Sequence, residues 1–350
     1  TINIEGIGSI GEGAFEDTQI TTQREALVVD DLETLKDLGR KYSRGDGVPT
    51  NKNRAISLYT RVLEQLSPQI EDEIAEIVED TGFDEREKRD LWMAHTRRVL
   101  GELNFTEWEK DGDLDWCFEK RSRKLFIKTQ EQFEAKECQM KEYGIEYDNK
   151  SPWKMKHCNQ IDSIFICYGI SSIGKHAFSH VNSLISISIP NSVCSIGSHA
   201  FSGCCRLTLV KIPDTVKNIC NNPFEGCSSL LEIKVDKGNI CFRSVNGVLF
   251  TKDMNSLICF PGGKSGNYKI PNLTTSINDH AFCSCENLFA ISMSNSVVNI
   301  GKSAFKWCTE LASMTLSSSV KAIDDFAFHG CTSLASIDLP HSVVSIGVHA

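Results

Sequence analysis

A fixed pattern of apolar positions recurs along the second half of the chain. Each phenylalanine of the pattern is followed six residues later by leucine, and nine and eleven residues later by two more apolar residues. The last two differ by two positions, so they lie on one face of a short strand. The phenylalanines are Phe178, Phe201, Phe224, Phe282, Phe305 and Phe328, and the leucines are Leu184, Leu207, Leu230, Leu288, Leu311 and Leu334.

The period of this pattern is 23 residues within each group of three phenylalanines. A constant period with one apolar phase is typical of a solenoid, in which a unit buries its apolar face only by stacking on its neighbours. We therefore expect one wall of parallel strands about 4.8 Å apart. The segments that hold the phenylalanines are expected to form the opposite wall.

The repetition is interrupted between Phe224 and Phe282, which lie 58 residues apart. In this interval Val245–Phe250 and Leu257–Phe260 are two apolar runs on either side of a polar segment, which predicts an inserted β-hairpin at about residues 236–267. Specificity in a repeat protein must come from what breaks the repetition, so the hairpin is also the candidate binding site.

The candidate binding residues of the hairpin are aromatic, arginine and leucine side chains close together in sequence. Exposed aromatic and arginine side chains dominate interface hot spots. The alternative is that they only seal the hairpin against the array. The candidates are Phe242, Arg243, Leu249, Phe250 and Phe260.

The first part of the chain has helical spacing. Leu35, Leu38 and Tyr42 lie on one helical face, and Gly45 and Gly47 then interrupt the pattern. Further amphipathic helices are expected between residues 70 and 145, including the segment from Trp116 through Tyr143. A second stripe faces the first helix and consists of Ala55, Leu58, Tyr59 and Val62.

Charge separates the two parts of the chain. Residues 161–350 carry 12 acidic and 13 basic side chains, whereas residues 1–160 carry 34 and 24, within a net charge of -9. The shift predicts a boundary near residue 160, and neither part has the basic excess that favours nucleic acid. No run approaches the roughly 20 apolar residues of a membrane-spanning helix.

These patterns predict an α+β protein with three segments. Residues 1–20 repeat the array's phrase in part, residues 21–160 form a helical domain, and residues 161–350 form the solenoid. Repeat phrases at both ends suggest either a piece of a longer chain or a helical block inserted into one array.

The repeat phrase I-G-x-x-A-F-x-x-C-x-x-L-x-x-I-x-I-P, with its inserted N-G-V-L-F segment, resembles the BspA-type leucine-rich repeat over about residues 161–350. The resemblance implies a parallel-stranded solenoid that recognises proteins, often on microbial cell surfaces, with no catalytic residues to carry over. Residues 35–65 resemble one Sel-one-like helix hairpin, a relative of the tetratricopeptide repeat.

Five of the 15 cysteines occupy one repeat position: Cys204, Cys227, Cys285, Cys308 and Cys331. We interpret them as a column of buried thiols that pack like small apolar residues. The alternative is zinc bound by His280, Cys283 and Cys285, since thiolate and imidazole suit that ion. We predict neither a metal nor another cofactor.

Two other polar patterns are considered as sites. His176, His199, His280 and His349 share one repeat position and form either a pH-sensitive strip or a row of ordinary exposed turns. A calcium loop around Asp111 is rejected, because Trp116 stands where such a loop requires glycine.

The sequence lacks a phosphate-binding loop, a dinucleotide-binding glycine pattern and a nucleophile elbow. We therefore predict a non-enzymatic protein–protein interaction module, used for recognition or adhesion through the solenoid. The alternative is an intracellular adaptor that works through the helical block. The resemblance favours a cell-surface or secreted protein, whereas free thiols favour a reducing compartment such as the cytoplasm. The partner is expected to be a protein, not a nucleic acid.

Overall fold

The computed structural model describes residues 32–45, 50, 55, 58–59, 91, 93, 96, 108–129, 138–144 and 150–350. The chain divides into two compact units, Thr1–Arg98 and Val99–Ala350. The predicted partial repeat at residues 1–20 and most of the second helical stripe lie outside the described residues. Among the helices that are described, none is long and apolar enough to cross a bilayer.

The first unit contains helix α1, Leu32–Arg44, where helical spacing predicts one. Leu35 is fully buried in it, and Ala55, Leu58 and Tyr59 are also helical and buried. A Cβ atom on Gly39 would come within 2.8 Å of the Tyr59 ring, so this glycine allows the ring to pack directly on the helix backbone. The contact agrees with a facing second stripe.

The second unit begins with strands where we expected helices. Strands β1 (Glu109–Asp111), β2 (Leu114–Glu119) and β3 (Lys124–Thr129) form an antiparallel meander, and β4 is Cys138–Gln139. The predicted helix from Trp116 through Tyr143 is therefore wrong over its described residues. In β2 buried Leu114 and Trp116 alternate with partly exposed residues, which is the two-residue period of a strand.

The first wall of the array holds the strands at the predicted apolar positions, with strands numbered in chain order. They pair in parallel within three groups, β5–β7, β9–β11 and β15–β17–β19, and each partner lies 23 residues from the next. The strands are β5 (Ser163–Ile166), β7 (Ser186–Ser188), β9 (Leu209–Ile212), β11 (Glu232–Val235), β15 (Gly266–Lys269), β17 (Leu288–Ser292) and β19 (Ser313–Thr315).

The second wall consists mostly of two-residue strands that precede the alanine–phenylalanine turns, rather than of those turns themselves. It holds β4–β6–β8–β10 and, beyond the insertion, β16–β18–β20–β21. The strands are β6 (Ile170–Ile173), β8 (Ser195–Ile196), β10 (Asn218–Ile219), β16 (Ser276–Ile277), β18 (Asn299–Ile300), β20 (Ala322–Ile323) and β21 (Ser345–Ile346). The parallel solenoid of the leucine-rich-repeat type is thus confirmed.

The phenylalanines stack in the core. Ring centroids are 5.4 Å apart for Phe178 and Phe201 and 4.8 Å apart for Phe282 and Phe305. The backbone N–H of Phe282 donates to the carbonyl of Ala304 at 2.8 Å, and the same bond recurs at other repeats. Stacking and hydrogen bonding therefore connect each repeat to the next.

The five cysteines of the column hydrogen-bond across repeats, and no disulfide joins them. Cys227 Sγ donates to the carbonyl of Phe201 at 3.2 Å, and Cys308 Sγ to that of Phe282 at 3.1 Å. Burial raises the pKa of Cys227 to about 12, so its thiol stays protonated. Buried thiols were predicted, and four of the five are buried while Cys331 is partly exposed.

A tryptophan extends the aromatic stack beyond Phe178. Helix α2, Pro152–His157, places the buried Trp153 ring 5.6 Å from Phe178. The Trp153 indole N–H and the Ser151 hydroxyl both donate to the Ala177 carbonyl at 2.9 Å, the acceptor that a phenylalanine N–H uses elsewhere. Because β3 also pairs with β5, residues 108–161 close this end of the array.

The insertion is a three-stranded meander built into the second wall, not a projecting hairpin. Its strands are β12 (Phe242–Val245), β13 (Val248–Thr251) and β14 (Ser256–Cys259), and β14 pairs in parallel with β16. The Asn246–Gly247 turn has positive φ at both residues, which suits a tight hairpin turn. The predicted run Val245–Phe250 is therefore two strands joined by this turn.

Candidate functional site

A row of exposed apolar side chains lies directly before the strands of the first wall. Ile185, Leu231 and Phe289 occupy the same repeat position and are 39%, 54% and 49% exposed. A parallel ladder continues through this position, since Leu231 N–H donates to the carbonyl of Thr208 at 2.9 Å. We call Ile185, Leu231 and Phe289 the apolar row. Exposed apolar side chains aligned along a solenoid are typical of a protein-binding surface.

Basic side chains alternate with the buried residues of the same strands. Lys211, Lys234 and Lys269 share one repeat position, three residues after that of the apolar row. Lys234 and Lys269 are exposed and Lys211 is partly exposed. The outer face of the first wall therefore combines apolar and positive groups, a combination that suits a partner with apolar and acidic side chains.

The insertion buries most of the candidate binding residues. Phe250 and Leu249 are fully buried, Phe260 is 4% exposed and Phe242 is 7% exposed. Only Arg243 is exposed. The four apolar side chains thus seal the insertion against the array, the alternative left open by the sequence, and Arg243 remains the predicted contact that reaches solvent.

Phe260 has a structural role that its sequence position did not reveal. Its ring stacks on Phe282 with centroids 4.9 Å apart, and its N–H donates to the carbonyl of Ala281 at 2.8 Å. These are the contacts that the repeat phenylalanines make. Phe260 therefore supplies the aromatic position of a repeat that the insertion otherwise replaces.

A polar cluster forms beside Phe260, where the repeats before and after the insertion meet. Oε1 of Glu225 is 3.0 Å from Cys283 Sγ, and Oε2 is 2.8 Å from His199 Nδ1 and 3.5 Å from His280 Nδ1. The sequence analysis named His280 and Cys283 but missed Glu225, which lies 58 residues before Cys283. We call Glu225, His280 and Cys283 the cluster.

The electrostatics of the cluster favour a charged carboxylate and a neutral thiol. Burial alone would raise the pKa of Glu225, but hydrogen bonds with His199, His280 and Cys283 hold it well below its usual range. Burial, and then the charge of Glu225, raises the pKa of Cys283. The thiol therefore donates its proton to the carboxylate.

The histidine row forms only in part. The rings of His176 and His199 stack with centroids 5.2 Å apart, close to the expected 5 Å, and His199 meets His280 edge-on at 5.4 Å. His349 packs instead against Phe326. The predicted row therefore consists of three neighbouring rings that lead into the cluster.

Metal donors come together at one place among the described residues. Ligand atoms of Glu225, His280 and Cys283 all lie within 4.8 Å of one another. Cys285, the third member of the zinc trio considered from sequence, is buried, and its Sγ is 3.8 Å from the Phe260 carbonyl. At Asp111 the carboxylate pairs with Lys141 and Tyr143 instead of facing a cation site.

The parallel solenoid defines a leucine-rich-repeat protein. Six copies of the BspA type leucine rich repeat region match residues 154–252 and 256–350, more than half of the chain. The chain therefore belongs to that family. The match includes no residue of the first unit, so the Sel-one-like resemblance stays a prediction. Among curated proteins, none matches the chain.

Solved structures similar to the chain come from bacterial leucine-rich-repeat proteins. A leucine rich cell surface protein from Faecalibacterium prausnitzii is 22% identical, with 69% of this chain and 90% of that chain covered and a TM-score of 0.48. The pneumococcal vaccine antigen PcpA is 21% identical, with 69% and 78% covered and a TM-score of 0.47. A leucine-rich repeat protein from Eubacterium ventriosum is 18% identical, with 69% and 92% covered and a TM-score of 0.33.

Proposed function

We propose that the repeat array is a non-enzymatic protein-interaction module, and that the outer face of its first wall binds the partner. The observation that carries the proposal is the apolar row. Ile185, Leu231 and Phe289 expose large side chains at one repeat position, although that position could hold serine or threonine without loss of the core. Thr208 occupies it in one repeat.

The flanking lysines add charge to this surface. Lys211, Lys234 and Lys269 favour a partner that presents acidic groups beside apolar ones, and they speed its approach more than they tighten the complex. Arg243, on the second wall, is a further predicted contact. Family membership supports protein recognition, and the printed description of one similar protein as a cell surface protein supports exposure to the cell exterior. We keep the adaptor role of the helical block as the alternative.

The experiment compares capture of partners by matched variants. Purified protein is immobilised and incubated with extracts of surface proteins from candidate host cells and from bacteria, and the retained proteins are identified by mass spectrometry. We expect a variant with Ile185→Ser, Leu231→Ser and Phe289→Ser to lose specific partners that the wild type retains, with affinity at least about tenfold weaker, or 1.4 kcal/mol.

The control removes exposed apolar side chains elsewhere. Met155→Ser, Ile240→Ser and Leu273→Ser remove side chains that are 52%, 74% and 62% exposed but do not belong to the apolar row. This variant should bind like the wild type. Equal retention by all three proteins would contradict a binding site on the apolar row. Loss only in an Arg243→Ala variant would place the site on the insertion.

A further inference from the structure

The cluster lies at the point where the insertion interrupts the polar positions of the repeats. Glu225 directly follows Phe224 before the insertion, and Cys283 directly follows Phe282 after it, so the two occupy equivalent repeat positions. Phe260 continues the aromatic stack between them. Even so, Glu225 contacts Cys283 at 3.0 Å. The insertion thus brings together side chains that are 58 residues apart.

We propose that Glu225, His280 and Cys283 form a zinc site, with a carboxylate oxygen, Nδ1 of the imidazole and the thiolate sulfur as ligands and water in the fourth position. This inference is independent of the proposed binding face. The combination of donors argues for zinc, because thiolate, imidazole and carboxylate all bind it and a soft thiolate disfavours magnesium and calcium.

The spacing of the donor atoms fits the ion. Bonds of about 2.0–2.3 Å in a tetrahedral arrangement place neighbouring ligand atoms roughly 3.3–3.6 Å apart. Sγ of Cys283 is 3.0 Å from one Glu225 oxygen, and Nδ1 of His280 is 3.5 Å from the other. Only small side-chain shifts would be needed for the three donors to surround one ion.

The His280 imidazole supplies a second, independent observation. Its Nδ1 atom is buried, and its approach to Glu225 does not have hydrogen-bond geometry. Buried nitrogen atoms without a hydrogen bond are uncommon and ask for an explanation. Asn222 fixes the backbone here, because its Nδ2 donates to the His280 carbonyl at 2.7 Å. A bound cation would satisfy this nitrogen.

His199 would support the site from outside. Its Nδ1 lies 2.8 Å from Oε2 of Glu225, which suits a hydrogen bond that orients a ligating carboxylate. Without metal the Cys283 thiol donates to Glu225. Zinc binding would replace this hydrogen bond with S–Zn and O–Zn bonds and release the thiol proton to solvent, so that affinity rises with pH.

The positive φ of His280 does not count as evidence for the site. The same left-handed conformation occurs at His176, His199, Ser303 and Phe326, which share its repeat position. The coil of the repeat imposes it in every copy. The inference therefore depends on the donor set, its spacing and the buried nitrogen.

The test measures metal binding directly on the full chain. Protein freed of metal under reducing conditions is titrated with Zn²⁺ against a chromophoric chelator, and with Co²⁺, whose thiolate complexes absorb in the near ultraviolet. We expect one equivalent of zinc and a cobalt–thiolate band. Cys283→Ser should abolish the band, and both Cys283→Ser and Glu225→Gln should weaken zinc binding by more than about 100-fold, beyond the usual effect of outer partners.

Matched controls separate this site from the other thiols. Cys205 and Cys220 are exposed, and Cys205→Ser and Cys220→Ser should keep both the zinc affinity and the cobalt band. His199→Gln should weaken binding by about 10–100-fold while the band remains, and it covers the case in which a ligand variant does not fold. Circular dichroism of each metal-free variant checks folding.

Two results would overturn the inference. One is a wild-type protein that binds no zinc at a tenfold excess over micromolar protein. The other is binding that Cys283→Ser and Glu225→Gln leave unchanged, or that Cys220→Ser removes, which would assign the metal to other thiols. Neither result bears on the apolar row, so the two proposals fail separately.

Discussion

The regular repeats and the insertion solve the same packing problem in different ways. In a regular repeat one 23-residue coil supplies a phenylalanine to the stack, a first-wall strand and a second-wall strand. The insertion supplies Phe260 and three antiparallel strands of its own. The aromatic stack is thus retained where the polar positions change. Side chains with metal-donor chemistry meet only at that change, among the described residues.

The insertion also divides the core. Leu249 and Cys259 belong to the apolar cluster that contains Phe201, whereas Phe250 and Phe260 belong to the cluster that contains Phe282. Alternate residues of β13 and β14 therefore face different parts of the core. The insertion is a joint between two stacks of repeats and not an appendage on one.

The largest expected effect follows from removing this joint. Replacing residues 238–265 with a short glycine–serine link should cost more than about 5 kcal/mol and abolish cooperative unfolding, because buried residues of both clusters are lost at once. Urea denaturation followed by circular dichroism measures it. Arg243→Ala, in the same segment but exposed, should change stability by less than about 0.5 kcal/mol. A folded deletion variant would show that the insertion is dispensable.

A single aromatic residue from each region sharpens the comparison. Phe201→Ala and Phe260→Ala should each cost about 3–5 kcal/mol, since both rings are buried within the stack. Equilibrium denaturation of the two variants in parallel tests this equality. A loss below 1 kcal/mol for Phe260→Ala alone would mean that the stack is interrupted at the insertion.

The thiol column is expected to matter less than the rings. Cys227→Ala should cost about 1–2 kcal/mol, because it leaves a small cavity and removes the donor to the Phe201 carbonyl. Cys205→Ala, at an exposed neighbour of the column, should cost less than about 0.5 kcal/mol. In native protein a thiol reagent should label Cys205 and Cys220 well before Cys227. Equal labelling rates would contradict the buried column.

The smallest effect concerns the histidine row. Burial, and then the charges of His199 and nearby lysines, lowers the pKa of His176 to about 4. Because the unfolded chain binds this proton first, near pH 6.5, the free energy of unfolding should fall as pH drops from about 6.5 to 4 and then level off. Since His176 is largely open to solvent, the change should be about 1 kcal/mol or less. Denaturation of His176→Gln across this range should show a flatter profile, whereas exposed His341→Gln should not.

The periodic part of the fold was predictable because one spacing rule places every core residue. The 23-residue phase alone predicts that Phe178 and Phe201 stack and that Ile187 and Val210 lie on neighbouring first-wall strands. The turn at Asn246–Gly247 was also visible, since this dipeptide is a strong hairpin signal. It was missed because the apolar run across Val245 and Val248 looked continuous.

The rest depends on contacts that spacing does not encode. Trp116 and Leu125 were assigned to helices, although the β2–β3 meander is stabilised by pairing with the array through β5. Phe260 was taken for a surface residue because it lies outside the repeat phase. Glu225 could not be linked to Cys283, since only the folded insertion brings the two together.

The constant offset between paired strands has an evolutionary consequence. Ser172 pairs with Ser195 and Ser195 with Asn218, always at 23 residues. Duplication or loss of that number of codons leaves every remaining pair aligned, whereas any other change would shift strands relative to their neighbours. Unequal recombination between copies can therefore lengthen or shorten the gene in whole repeats without destroying the product, and relatives are expected to vary in repeat number while Trp153 and the insertion stay at the boundaries.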